Sequence, residues 1–140
     1  MKSVDASFII RLITSSNNTN SYNIKWQEWQ SCNTVIVAPT LIMYEVSNGI
    51  YRYQKAGQIT QDEAESLLNS ALNLGIQFYG DSNLHQEALK LANLYNLSAT
   101  YDAHYLALAQ RLQVELWTAD KRLFNTVSPS LSWVKLLEVN

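Results

Sequence analysis

The chain has 140 residues, 47% of them apolar and 16% charged, with a formal net charge of −2. Those values exclude an intrinsically disordered chain and predict one globular domain over residues 1–140. No apolar run nears the roughly 18–20 residues of a membrane span, residues 1–5 do not open a signal peptide, and the one cysteine, Cys32, permits no internal disulfide, so a reducing, cytoplasmic setting is the default.

Val4 and Asp5 end a short strand, and residues 6–13 read as a helix with Phe8, Ile9, Leu12 and Ile13 near helical spacing. A loop rich in Ser, Asn and Thr follows over residues 14–21. Residues 22–31 form a short helix carrying Trp26 and Trp29. The β-branched run 34–38 suggests a buried strand, and Pro39 suits the opening of a helix that runs to about Lys55, with Gly57 as terminator. Thr60 and Glu63 have the spacing of a capping box at the next helix. Residues 75–79 read as a strand, 84–95 and 100–112 as helices, 114–118 as a strand, 121–125 as a short helix and 132–135 as a last strand. Strands alternating with helices predict an α/β fold with a mainly parallel sheet.

In open parallel sheets ligands bind beyond the carboxyl ends of the strands. Asp5 follows the first strand and Asp120 the strand ending at Thr118. Asp102 lies in the first turn of its helix, and Glu45 sits among the apolar Leu41, Ile42, Met43 and Val46. Each acid also has a local reading. Asp5, Asp102 and Asp120 suit helix N-termini, and Glu45 a solvent-facing side of its helix. If the four converge, clustered carboxylates repel and require a compensating cation. Cys32, His85 and His104 are too few and too scattered for a zinc site, so the ligands would be hard oxygens, which favour Mg²⁺ or Mn²⁺.

These residues resemble a known family. Ser3-Val4-Asp5-Ala6-Ser7-Phe8-Ile9-Ile10 is similar to the opening motif of PIN domains. Ala38-Pro39-Thr40-Leu41-Ile42-Met43-Tyr44-Glu45-Val46 resembles the second acidic motif. Tyr101-Asp102-Ala103-His104-Tyr105-Leu106-Ala107-Leu108-Ala109 resembles the third, and Leu116-Trp117-Thr118-Ala119-Asp120-Lys121-Arg122-Leu123 the fourth. The ordered set covers nearly the whole chain and looks most like the small VapC-type toxins of bacterial toxin–antitoxin systems. The resemblance implies a three-layer α/β/α sandwich around a mainly parallel sheet. It implies an endoribonuclease dependent on Mg²⁺ or Mn²⁺, with Asp5, Glu45, Asp102 and Asp120 as catalytic metal ligands. It further implies support from Ser7 and Thr118, a cognate antitoxin and a homodimer.

Hydrolysis by a metal-activated water requires no histidine base. His104, two residues from Asp102, faces another side of its helix, and His85 reads as a surface residue. Arg11, Arg52, Lys121 and Arg122 are candidates to steer the RNA backbone, whose phosphates supply affinity without sequence choice. Ten basic residues against twelve acidic ones argue mildly against a nucleic-acid binder. Setting the four acids aside leaves eight against ten. Tyr51 and Tyr53 could stack on unpaired bases, though packing suits them and the four tryptophans better. Helices 22–31 and 61–73, the latter with Leu67, Leu68, Ala71 and Leu72 on one face, are candidates for an antitoxin groove. A competing reading is a non-catalytic PIN-like module that binds RNA or protein. A receiver-like or haloacid-dehalogenase-like phosphoryl-transfer domain fits less well, since Asp5-Ala6-Ser7 is not the Asp-x-Asp of the latter. Neither a Walker pattern nor GxGxxG occurs.

Overall fold

The computed structural model describes residues 1–15 and 20–138. Five parallel strands, β1 (Lys2–Val4), β2 (Ile36–Pro39), β3 (Gln77–Tyr79), β4 (Leu116–Thr118) and β5 (Val134–Leu136), lie in the order β3-β2-β1-β4-β5. The register pairs Ser3 with Val37 on one side and with Leu116 on the other. Seven helices connect them: α1 (Ala6–Thr14), α2 (Ser21–Ser31), α3 (Leu41–Lys55), α4 (Gln61–Leu72), α5 (Ser82–Leu94), α6 (Tyr101–Leu112) and α7 (Lys121–Val127). None of the described helices is long and apolar enough to cross a membrane.

The strand order runs outward from β1 to β3, then returns past β1 to β4 and β5. Right-handed crossovers therefore place α1–α4 on one face and α5–α7 on the other, an α/β/α sandwich. The strands at the centre are buried on both faces, as parallel strands between helices must be: every residue of β2 is buried, as are Ser3 and Val4 of β1. Phe8 and Ile9 of α1, Ile42 and Val46 of α3, and Leu106 and Leu108 of α6 are fully buried against them.

An aromatic cluster closes the α1 side. Phe8 stacks on Trp29 at 5.4 Å, and Trp29 meets Trp26 and Trp117 edge-on at 6.0 and 5.7 Å. Trp26, Trp29 and Trp117 are thus packing residues, and Trp133 is half-buried against the core. Tyr22 meets Phe8 edge-on and donates its hydroxyl to the carbonyl of Leu137 at 2.6 Å, tying α2 to the segment after β5. Gly49 lets α3 approach α1, since a Cβ there would lie 2.6 Å from Ile10 Cδ1.

The elements follow the predicted order with shifted ends. Pro39 does not open α3. It is the last residue of β2, where its missing N–H lies at the end of the ladder, and the next residue, Thr40, donates instead to Tyr79 O at 2.9 Å. The predicted strand 75–79 is shorter, and α5 starts at Ser82 because Asp81 caps it through Leu84 N at 2.9 Å. The capping box at α4 forms as its spacing predicts: Thr60 Oγ1 accepts from Glu63 N, and Glu63 accepts from Thr60 N, both at 3.1 Å. Much of the predicted loop 14–21 lies outside the described residues. On α4, Ala71 is buried and Leu67 and Leu68 are half-buried against the core, leaving Leu72 as the exposed member of that apolar face.

Candidate active site

The strand order reverses between β1 and β4, so their carboxyl ends diverge into a crevice. Asp5 leaves β1 there and Asp120 follows β4. Each acid caps the helix that begins behind it. Asp5 accepts from Phe8 N at 3.0 Å, and Asp120 accepts from Arg122 N and Leu123 N at 2.9 and 3.2 Å. Capping consumes part of each carboxylate's accepting capacity and fixes its direction; the remaining lone pairs stay available.

Two hydroxyls complete the Asp5 environment. Ser7 donates to Asp5 Oδ1 at 2.6 Å, and Thr118, fully buried, donates to Asp5 Oδ2. The two hydroxyls lie 3.2 Å apart. Ser7 Oγ also accepts from Ala119 N, and Thr118 Oγ1 from Asp120 N, each at 3.0 Å. A single network therefore joins the ends of β1 and β4 and holds Asp5 and Asp120 in fixed relation.

Glu45 reaches the site from α3 and Asp102 from the first turn of α6. Both are half-buried. Tyr105, fully buried on α6, donates its hydroxyl to Glu45 Oε1 at 2.5 Å. Burial and the Glu45 charge push that hydroxyl far above the ordinary tyrosine range, so it stays a donor. Sequence reasoning missed Tyr105. It lies three residues after Asp102, on the same helix face, and a phenol among buried Ala and Leu requires a hydrogen-bond partner.

The four acids form one electrostatic group. Burial raises Asp102 to about 6, with the charges of Asp120 and Glu45 adding to the rise. Burial likewise raises Asp5 to about 6; the Ser7 and Thr118 hydroxyls and Phe8 N–H oppose that rise, and Asp102 adds to it. Among the described residues the ion pairs are Lys2–Glu115, Lys25–Glu28, Lys90–Glu87 and Arg111–Asp81, so none of the four acids is held in an ion pair. Oxygen-only donors with unbalanced negative charge suit a hard divalent cation. The side chains are not drawn into a finished cage: among the described residues no three His, Cys, Asp or Glu side chains are grouped closely enough to hold an ion as they stand.

Two hollows flank the acids. One of about 610 Å³ lies between α1, α3 and Tyr101, and takes in Ser7, Glu45 and Arg52. The other, of about 250 Å³, is lined by Asp102 and Arg122. Arg52 and Arg122 thus stand beside the site. Lys121 is exposed at the start of α7, while Arg11 is exposed on α1 and acts electrostatically on Tyr22. Tyr51 and Tyr53 are exposed, and neither borders these two hollows. His104 does face another side of α6 from the acids, but it is not isolated. Its Nδ1 donates to Thr100 O at 2.7 Å, which leaves Nε2 to accept from His85 Nδ1 at 2.8 Å, so the two histidines clasp α5 to α6.

A family model for the PIN domain matches residues 3–128. The chain is 27% identical over 125 residues to a protein named Ribonuclease VapC3 from Pyrobaculum aerophilum, covering 86% of this chain and 89% of the relative. Among solved structures it resembles PAE2754 from Pyrobaculum aerophilum, with a TM-score of 0.67 and 24% identity over 89% of this chain and 78% of the other. It also resembles Mycobacterium tuberculosis VapC20, described as a sarcin–ricin loop cleaving toxin (TM-score 0.62, 13% identity, 91% and 95% covered). A toxin–antitoxin complex from Klebsiella pneumoniae gives a TM-score of 0.56 at 16% identity, with 96% of each chain covered. At these identities the structural likeness concerns the fold.

Proposed function

Since the chain belongs to the PIN domain family, we propose that it is an endoribonuclease dependent on Mg²⁺ or Mn²⁺, acting as the toxin of a toxin–antitoxin pair. The observation that carries this reading is the grouping of Asp5, Glu45, Asp102 and Asp120. Four acids stand at the reversal of strand order, two raised to about 6, and none of them is held in an ion pair. Beyond the helix caps that Asp5 and Asp120 supply, gathering four carboxylates works against folding, because each ionised carboxylate raises the cost of the next. The named ribonuclease and toxin relatives favour the same reading.

In this mechanism the four carboxylates would hold the cation, which when bound would supply a water of lowered pKa and positive charge against the phosphate oxygens. Ser7 and Thr118 keep Asp5 oriented and ionised through their donated hydrogen bonds. Tyr105 fixes the rotamer of Glu45. Arg52 and Arg122, one in each flanking hollow, and Lys121 contact the RNA phosphates on either side of the scissile bond. As they stand, no three of these carboxylates are close enough together to hold an ion, so the side chains would have to turn inward to bind one.

The partners follow from the same assignment: an RNA substrate, a cognate antitoxin that covers the acidic end, and a second copy in a homodimer, all in the cytoplasm. One observation favours a second reading, a non-catalytic RNA- or protein-binding module: although the four acids share one end of the sheet, no three of them are close enough to hold an ion as they stand. Incubating the purified protein with total RNA in Mg²⁺ or Mn²⁺, and in EDTA, separates the two. Cleavage that EDTA abolishes supports the nuclease. RNA retained intact in every condition, with no Mn²⁺ bound to the protein, supports the module.

A further inference from the structure

We infer that the hollow of about 610 Å³ beside Glu45 is a subsite for one unpaired nucleobase, with Tyr44 and Tyr101 as its stacking platforms. The inference rests on the nuclease reading and specifies which form of RNA that site takes. Three observations carry it. Tyr44 and Tyr101 are 74% and 57% exposed, so both rings are open to a stacking partner. Both border the same hollow, although one comes from α3 and the other from α6. Each immediately precedes an acid of the quartet, Glu45 and Asp102, so the rings are carried to the rim by the same turns that carry the carboxylates.

The rest of the lining suits a nucleotide. Arg52 brings a permanent positive charge for a phosphate, and Asn48 brings a donor and an acceptor that can pair with a base edge. Glu45 places the hollow next to the proposed reacting centre. The volume falls within the roughly 300–1,000 Å³ of small-ligand sites; an unpaired base is free to stack there, whereas the bases of a duplex are already stacked on one another. Stacking on aromatic rings is indifferent to base identity, so the subsite selects single-stranded over paired RNA and leaves sequence choice to other contacts.

The test uses a short single-stranded oligoribonucleotide carrying one 2-aminopurine, titrated in Ca²⁺ buffer so that fluorescence reports stacking without turnover. The wild-type protein quenches the probe on binding. Tyr44→Ala and Tyr101→Ala each weaken binding roughly 5- to 100-fold and lose quenching, whereas Tyr44→Phe and Tyr101→Phe stay within about twofold of wild type. The same strand annealed to its complement binds weakly and shows no added quenching. Ala variants that bind and quench like wild type overturn the subsite, as do Phe variants that lose as much as Ala, duplex bound as tightly as the single strand, or no binding of the probe by wild type. Cleavage of total RNA by the wild type, run in parallel, keeps the two readings apart. Cleavage with indifferent tyrosines ends the subsite alone; no cleavage in any metal ends the nuclease reading.

Discussion

Tyr105 of α6 donates its hydroxyl to Glu45 of α3 across 2.5 Å, joining residues sixty positions apart at the acidic end of the sheet. The phenol is fully buried, so this bond decides where a half-buried carboxylate points. Replacing Tyr105 with Phe keeps the ring and deletes the donor. We expect a stability loss of about 0.5–1.5 kcal/mol in urea unfolding, since Glu45 can recover water where it is exposed. RNA cleavage should fall roughly three- to tenfold in kcat with little change in KM, because a freed Glu45 samples unproductive rotamers. Unchanged kcat in the folded variant would remove Tyr105 from the site.

Thr118 and Ser7 both lower the Asp5 carboxyl against the rise that burial imposes. Thr118→Val preserves shape and removes one of these donors. The Asp5 carboxyl then moves above about 6, and the acidic limb of the cleavage–pH profile shifts to higher pH while the alkaline limb stays. Ser7→Ala should move the limb the same way. A profile displaced downward, or not at all, would contradict the assignment of Asp5.

Asp102 makes an opposite prediction for stability. Its carboxyl is raised to about 6, against about 3.9 for an unfolded chain. A raised folded value means that the group favours folding only while protonated. Its contribution is therefore present below about 3.9 and is lost as pH climbs through 6. In EDTA at pH 7, Asp102→Asn should stabilise the protein, by on the order of 1 kcal/mol once solvent screening of this partly exposed carboxyl is discounted, while abolishing cleavage. The gain should vanish below pH 4. Thermal melts of both proteins across pH 3.5–7.5 check this, and equal stability at pH 7 would show that Asp102 carries no strain.

Asp81 serves as the contrast. It caps α5 and takes a bidentate pair from Arg111 at 2.7 and 3.0 Å, far from the acidic end in sequence and in hydrogen-bond connection. Arg111 holds its carboxyl down to about 2, so the stability it contributes is present above the ordinary carboxylate range and lost as pH falls through 2. Asp81→Ala should lower the melting temperature at neutral pH and leave cleavage per folded molecule unchanged.

Much of this was legible before any coordinates. Periodicity and the Thr60–Glu63 spacing located the helices, and strand–helix alternation implied the parallel sheet. Asp5 and Asp120 could be placed because both directly follow strands. That each could be a helix cap as well as a candidate site acid was legible too, and the structure shows that the capping roles are real. What escaped were long-range pairings. Nothing local to Tyr105 names Glu45 as its partner, and nothing local to His85 names His104. Pro39 misled because proline is tolerated both at a helix start and at the end of a strand, and only the ladder to Tyr79 distinguishes the two.

The central claim is that four carboxylates jointly run a metal-dependent cleavage. It is tested most directly by cleavage of one RNA substrate in Mg²⁺ by Asp5→Asn, Glu45→Gln, Asp102→Asn and Asp120→Asn, beside wild type and Asp81→Asn, with folding verified by circular dichroism. The account predicts that wild type and Asp81→Asn cut, that EDTA stops both, and that each of the four amide variants is folded and silent. A folded quartet variant that cuts at the wild-type rate, or cleavage by wild type that persists in EDTA, would contradict it.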